Sequence, residues 1–298
     1  MSGGFRRLLG RRETARFKAF VLAIVIQMLV LAIAFQFVTL QTWIPKFPPI
    51  GVIVGGLLFG MAMGWSAGCP AGIWYKLGGG NVSVFLSLVG MFLGYASMEI
   101  GTLKGIRLWL QSIDSFSQSN HHTLPSLLGY SHTVIALLIG SVTLFFLWRS
   151  NHQDKTGSWK WWISGSLLGL IGLLAWLSST FSQRPFGMAI LAGSKDVFWP
   201  FISGNSGFLS WDFCFVVGIP LGGYISARHQ KSFSWGTLQG QEALKRLSGG
   251  LLLGMSSSLA GGCTVGHGLS GIPMLSLGSI VFILFAILGT WLMEALAK

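Results

Sequence analysis

The chain has 298 residues, of which 52% are hydrophobic and only 9% are charged. A soluble domain carries about a quarter charged residues, so this composition excludes a soluble globular domain and predicts a polytopic membrane protein. The net charge of +12 comes from basic residues scattered among loops. This pattern argues against nucleic-acid binding and makes an anion a more natural substrate than a cation.

Apolar segments follow one another along the chain, many of them near the ~20 residues that cross the hydrocarbon layer of a bilayer. Eight are recognisable, at about 20–40, 51–69, 82–101, 133–148, 160–178, 208–226, 248–266 and 273–296. The first is too long for the core of a signal peptide and is interpreted as a span. We therefore expect an all-α integral membrane protein with about eight or nine spans, plus short broken or re-entrant helices. Residues 1–298 are predicted to form a single transmembrane transport domain.

The basic residues predict the orientation. If all eight segments cross, 15 of the 20 Lys and Arg residues lie on the side that holds both termini. Cytoplasmic loops carry the excess of basic residues in membrane proteins. We expect a bacterial inner-membrane protein with both termini in the cytoplasm.

Two glycine- and cysteine-containing stretches form an internal repeat. "GLLFGMAMGWSAGCPAG" at 56–72 aligns without a gap on "GLLLGMSSSLAGGCTVG" at 250–266, at an offset of 194 and with eight identical positions. Under the topology above the two copies run in opposite directions. Inverted repeats are typical of transporters, whose substrate site lies near the midplane. The sequence predicts a first repeat core at 20–101 and a second at 208–296.

One interpretation of the motif cysteines, Cys69 and Cys263, is a purely structural role in packing. Glycine-rich membrane helices often only pack closely, and free cysteine is a common small buried residue. Their matched places in the repeat favour a functional role. The chain has three cysteines and no C-x-x-C, which argues against a disulfide framework and a zinc site. Neither a metal nor another cofactor is expected.

The motifs Gly68-Cys69-Pro70-Ala71-Gly72 and Gly261-Gly262-Cys263-Thr264-Val265-Gly266-His267-Gly268 resemble those of the YeeE/YedE family of membrane proteins, which includes thiosulfate transporters. The resemblance covers both halves of the chain. It implies a compact helical fold with inverted halves and short helices that meet at a central constriction. It also implies uptake of thiosulfate along a cysteine-lined path, with a small cytoplasmic sulfurtransferase of the thiol-carrier type as a partner.

The resemblance makes the two motif cysteines the first site candidates. The family uses a further cysteine, for which Cys214 is the candidate here, although a packing role is about as plausible. The motif glycines would let a ligand reach the backbone. His267 could donate to the sulfonate, carry a proton or simply pack. The predicted substrate-binding residues are Cys69, Cys263, Cys214, Gly68, Gly72, Gly262, Gly266 and His267.

Thiol chemistry suits such an anion. A neutral S–H is a weak donor and its sulfur a weak acceptor, which matches the soft terminal sulfur of thiosulfate. Conduction needs contacts weak enough to release the ion. Glycine amides and helix N-termini can add N–H donors for the oxygens.

Two alternatives stay open. One is transport of another sulfur or selenium anion. The other is a membrane thiol oxidoreductase or sulfurtransferase that forms a persulfide on Cys69 or Cys263, although a quinone-linked disulfide enzyme would normally show C-x-x-C. We expect a transporter and not an enzyme.

Overall fold

The computed structural model describes residues 4–5, 14–37, 44, 47–113, 122–150, 155–156, 159–200, 210–236 and 240–296. Over these residues the protein is almost entirely helical, with strand structure only in a two-residue antiparallel pair. The all-α prediction is confirmed.

The elements are named in chain order. The helices are α1 Ala15–Phe37, α2 Pro49–Trp65, α3 Pro70–Gly78, α4 Ser83–Glu99, α5 Lys104–Ser112, α6 Leu124–Leu128, α7 His132–Trp148, α8 Trp161–Phe181, α9 Ile190–Phe198, α10 Trp211–His229, α11 Gly240–Ala260 and α12 Leu277–Leu296. A π-helix spans Gly266–Gly271, and strands β1 Lys155–Thr156 and β2 Trp159–Lys160 pair between α7 and α8.

Several of these helices can cross a membrane. By length and hydropathy, the described residues contain four such segments, Ala15–Phe37, Pro49–Gly78, Trp161–Phe181 and Leu277–Leu296. Helices α4 and α5, bent by 65° at a short break, would together form a fifth. The protein is a multi-pass membrane protein, and the count of eight or nine spans stays a prediction.

Both motif helices end earlier than the sequence predicted. The apolar segment at 51–69 ends as a helix at Trp65, because Ala67 has φ 71° and Gly68 has φ 146°. The segment at 248–266 ends as a helix at Ala260, because Gly261 has φ 76°. A residue in the left-handed region cannot continue a right-handed helix. Both cysteines therefore lie in breaks between helices and not inside spans.

Helix positions repeat at the 194-residue offset. Helix α4 begins at residue 83 and α12 at residue 277, while α1 and α2 correspond to α10 and α11 within a few residues. The turns correspond in detail, since the Ile73 amide donates to the Cys69 carbonyl at 3.0 Å and the His267 amide donates to the Cys263 carbonyl at 2.9 Å. The same local structure is therefore built twice.

Close glycine contacts fix the relative direction of the two copies. A Cβ placed on Gly51 would lie 3.2 Å from the Leu259 carbonyl oxygen, so the start of α2 meets the end of α11. A Cβ on Gly249 would lie 2.5 Å from the Ser66 amide nitrogen, so the start of α11 meets the end of α2. The two central helices are antiparallel.

Each central helix also packs in parallel on the last helix of the other copy. A Cβ on Gly56 would lie 3.0 Å from the Phe282 carbonyl oxygen, and one on Gly64 would lie 3.2 Å from Met293 Cγ. Helix α11 contacts α4 in the same way, where a Cβ on Gly94 would lie 3.0 Å from the Met255 amide. Small residues allow backbones to approach this closely. These contacts among α2, α4, α11 and α12 hold the two copies of the repeat together.

The remaining helices surround this four-helix centre. Helix α1 packs against α7 and α8, and α10 packs against α3 and α9. The Trp74 indole of α3 donates to Ser194 Oγ of α9 at 2.8 Å. Helix α9 was not predicted, because nine residues that include Lys195 and Asp196 do not form an apolar segment. It brings a third helix N-terminus to the motif turns.

Candidate functional site

The two motif cysteines lie at equivalent places. Both are free thiols and both are buried, at 3% exposure for Cys69 and 1% for Cys263. Cys69 is the N-cap of α3, which begins at Pro70. Cys263 directly precedes a helical turn that leads into the π-helix. The two thiols lie within electrostatic range of one another, although they come from opposite repeats.

Backbone N–H groups surround each sulfur. The Cys69 thiol lies by the amide of Gly72. The Cys263 thiol lies by the amides of Val265, Gly266 and Ile190, the last from the first residue of α9. Amides at the start of a helix have no intrahelical acceptor, so they are available to an anion that reaches the sulfurs.

His267 is buried beside Cys263. Its Nδ1 lies 3.0 Å from Ser279 Oγ, and its ring stacks on Phe282 with centroids 4.2 Å apart. The Ala260 carbonyl lies beside the ring, but Nε2 makes no hydrogen bond. A buried imidazole nitrogen without a partner is costly. The ring is thus held on one edge and presents an unpaired nitrogen on the other.

The motif glycines keep this region clear of side chains. A Cβ on Gly262 would lie 2.8 Å from His267 Nε2, so any larger residue would press on the imidazole. A Cβ on Gly72 would lie 3.7 Å from Cys69 Sγ, and one on Gly266 would meet nothing nearer than 3.9 Å. Gly68 has a positive φ, which an L-residue rarely adopts. The turn geometry therefore constrains Gly262 and Gly68 more strictly than Gly72 and Gly266, and the substrate-binding role of all four glycines stays a prediction.

Cys263 and His267 open onto a cavity of about 450 Å³. Its other walls include Arg184, Lys195 and Asp212. Arg184 Nε lies 2.5 Å from Asp212 Oδ2, and Lys195 is a looser partner of the adjacent Asp196 at 3.9 Å. Each of these two cations therefore has an acidic neighbour that offsets part of its charge.

A second hollow of about 280 Å³ lies at the other end of α10. Asp212 lines the first cavity and Ala227 lines the second, about 22 Å apart along the helix at 1.5 Å per residue. Lys76 lines the second hollow, and its ammonium donates to the Ala67 carbonyl in the turn before Cys69. Cys263 therefore lines the first cavity, and Lys76 connects the second hollow to the turn before Cys69.

Cys214 does not join the other two cysteines. It is exposed on α10, whereas Asp212, two residues earlier, lines the large cavity. Successive residues on a helix point in different directions, so the neighbouring position faces the cavity and Cys214 does not. Cys69, Cys263, His267 and the motif glycines are brought together; Cys214 is not.

Some residues of the site were not predicted from the sequence. Arg184, Lys195 and Tyr95 line the large cavity but lie outside the motifs, and the sequence gives no sign of which loop or helix faces the site. Among the described residues, no cluster of three His, Cys, Asp or Glu side chains suited to a metal is found.

Known proteins resemble this chain over nearly its whole length, including the segments that form the paired turns. A family model described as Sulphur transport matches residues 1–292. The chain belongs to the sulphur transport family. The resemblance to YeeE/YedE proteins that the motifs indicated is confirmed by this match.

Members of the sulphur transport family that resemble the chain over nearly its whole length include two proteins named thiosulfate transporter TsuA. The one from Escherichia coli (strain K12) is 26% identical, over 98% of this chain and 87% of its own length. The one from Spirochaeta thermophila is 27% identical, over 98% of this chain and 91% of its own length. The similarity therefore includes both repeats and the two segments that contain the motif cysteines.

Proposed function

We propose that the protein takes up thiosulfate across the bacterial inner membrane through a constriction formed by Cys69 and Cys263. The observation that carries this proposal is the pair of buried, free thiols from opposite repeats, of which Cys263 lines the large cavity. Lys76, which lines the second hollow, donates to the turn that leads into the other thiol, Cys69. The names of the two relatives supply thiosulfate as the cargo.

The geometry supports a path in stages. The ion enters the large cavity, where Arg184 and Lys195 supply positive potential and their acidic neighbours keep the attraction weak. It then meets Cys263 and the unpaired Nε2 of His267 at the cavity wall. Beyond Cys69 it meets Lys76 and the second hollow. Several weak sites in series allow both entry and release.

Each chemical end of the ion has suitable partners on this path. The neutral thiols can exchange S–H···S contacts with the terminal sulfur, because sulfur is both a weak donor and a weak acceptor. His267 Nε2 and the amides beside Cys263 can donate to the sulfonate oxygens. This division explains why cysteine and not arginine lies at the narrowest part, since a bidentate arginine would hold the dianion too strongly.

Membrane orientation and organisation form part of the same proposal. Both termini lie in the cytoplasm, and the cavity with Arg184 and Lys195 faces outward, as the positive-inside pattern predicts. The repeat cores at 20–101 and 208–296 form the two halves of one transport domain. The protein is not an enzyme, and a small cytoplasmic sulfurtransferase of the thiol-carrier type receives the imported sulfur.

The test is uptake of ³⁵S-labelled thiosulfate by cells that lack other sulfur importers. We expect Cys69→Ser and Cys263→Ser each to lower uptake at least about tenfold at equal membrane abundance, because the softer S–H···S contact is lost. Cys214→Ser is the matched control, an exposed cysteine expected to keep uptake. Full uptake in both motif variants would contradict the constriction, and a persulfide trapped on either cysteine would favour the sulfurtransferase alternative.

A further inference from the structure

Thr264 directly follows Cys263 and differs from other threonines of the protein. Its side chain is completely buried, at 0% exposure. Its Oγ1 has no hydrogen-bond partner among the residues that the structure describes. An unsatisfied buried hydroxyl is destabilising, so its retention needs a reason.

The usual partner of a helical threonine is missing here. Thr143, Thr180 and Thr290 each donate to the carbonyl four residues earlier, at 2.7–2.8 Å. For Thr264 that carbonyl belongs to Ala260, the last residue of α11. The positive φ of Gly261 separates α11 from the next helical turn, so no preceding turn exists for the hydroxyl to bond. The break that exposes the cysteine also frees the threonine.

The freed hydroxyl points across the repeat boundary. It lies beside the thiol of Cys69, although the contact does not satisfy Oγ1. Thr264 thus carries an unused donor that follows Cys263 in the chain and lies beside Cys69 of the other repeat. Its counterpart at the 194-residue offset is Pro70, which has neither a hydroxyl nor an N–H. The donor exists on one side only.

We infer that Thr264 is a specificity residue, whose hydroxyl donates a hydrogen bond to a sulfonate oxygen of thiosulfate as the ion passes between the two thiols. This inference rests on the proposed function. The thiols contact sulfur, whereas Thr264 recognises the oxygens within the constriction itself. Without the Thr264 hydroxyl, a sulfonate oxygen would be desolvated and would have no hydrogen-bond partner. The cost of such unpaired polar groups is what lets sites discriminate strongly between similar ligands.

The experiment compares Thr264→Val, which keeps the shape and removes the hydroxyl, with Thr264→Ser, which keeps the hydroxyl. Thiosulfate uptake is measured in cells, and the thermal unfolding midpoint (Tm) is measured on the purified full-length protein with and without thiosulfate. We expect Thr264→Val to raise the KM for thiosulfate at least about tenfold, as loss of a hydrogen bond to a charged group does. Thr264→Ser should stay within about threefold of wild type.

The Tm separates this role from a structural one. Because Oγ1 has no hydrogen-bond partner among the described residues, Thr264→Val should not lower the Tm, but it should reduce the rise in Tm that thiosulfate produces in wild type. Thr290→Val is the matched control, since Thr290 is buried and already bonded to Ala286 within α12. It should lower the Tm and leave the KM unchanged.

The outcomes are distinguishable. A wild-type KM in Thr264→Val would overturn the inference and leave the proposed function standing. If Thr264→Val lowers both the Tm and thiosulfate uptake, the residue has a structural role, and this result would also overturn the inference. Absence of thiosulfate uptake by the wild-type protein would instead refute the proposed function.

Discussion

The two glycine-cysteine turns share a backbone and differ in the side chains placed on it. Both break a helix with a residue in the left-handed region, Ala67 in one and Gly261 in the other. Beyond the cysteine, the first turn continues with Pro70 and Ile73, and the second with Thr264 and His267 at the same positions. The shared geometry buries one thiol in each turn; the difference makes only the second turn polar beyond its cysteine.

The polarity of the second turn has a physical meaning. Thr264 Oγ1 and His267 Nε2 are both buried and both unpaired, whereas Ile73 is buried and apolar. The hydroxyl of the first turn, Ser66, lies before the cysteine and is satisfied by the carbonyls of Ala62 and Gly68. Strict symmetry would give two equal turns; under the proposed function, the asymmetry gives the site one end for sulfur and one for oxygen.

The largest expected effect comes from the imidazole. His267→Phe keeps a ring that can stack on Phe282 and removes Nε2. We expect uptake to fall about 10- to 100-fold at low thiosulfate, since a hydrogen bond to a charged group is worth about 1.5–3 kcal/mol. Ile73→Val, at the equivalent place in the first turn, should change uptake less than about twofold in the same ³⁵S assay. Equal losses in both variants would mean that the two turns do not differ in function.

A smaller effect is expected at the glycine that faces the imidazole. In Gly262→Ala the new methyl group would lie 2.8 Å from His267 Nε2, so the ring must shift and its free nitrogen is partly blocked. We expect uptake to fall about tenfold at normal membrane abundance, by analogy with the cost of a misplaced hydrogen bond. Gly222→Ala on α10, where a Cβ meets nothing within 4 Å, is the control. Unchanged uptake in Gly262→Ala would count against His267 as a donor.

The smallest effect concerns the left-handed positions. Gly261→Ala should lower the free energy of unfolding by about 1 kcal/mol, because alanine at a positive φ is strained. The protein should still fold, since Ala67 already carries a Cβ in that conformation at the matching position. The Tm of the purified protein measures this, with Gly218→Ala, in open space on α10, as the control. An undiminished Tm in Gly261→Ala would show that the left-handed conformation at this break is not required.

Sequence reasoning recovered the parts of the fold that follow from hydrophobicity and repetition. Apolar runs predicted the helical class and most long helices, and the matched motifs predicted the equivalent turns. Helix ends at the motifs were wrong by several residues, because hydropathy does not distinguish an apolar helix from an apolar turn such as Ser66–Gly68. Helix α9 was missed, because nine residues with two charges carry no membrane signal.

The candidate site was predicted in its chemistry but not in its contacts. Cys69, Cys263 and His267 carry recognisable functional groups in a repeated pattern. Thr264 lies in the same motif, but its role depends on a missing carbonyl partner, which only the three-dimensional structure reveals. Cys214 was included because the resembled family uses a further cysteine, and its direction on α10 depends on packing that the sequence does not specify.

The most direct test of the central claim is a structure of the full-length protein with thiosulfate bound, with anomalous scattering locating its sulfur atoms. We predict a terminal sulfur between Cys69 and Cys263 and a sulfonate group within hydrogen-bond distance of Thr264 Oγ1 or His267 Nε2. Thiosulfate bound only beside Arg184 and Lys195, with none between the thiols at saturating concentration, would contradict the account.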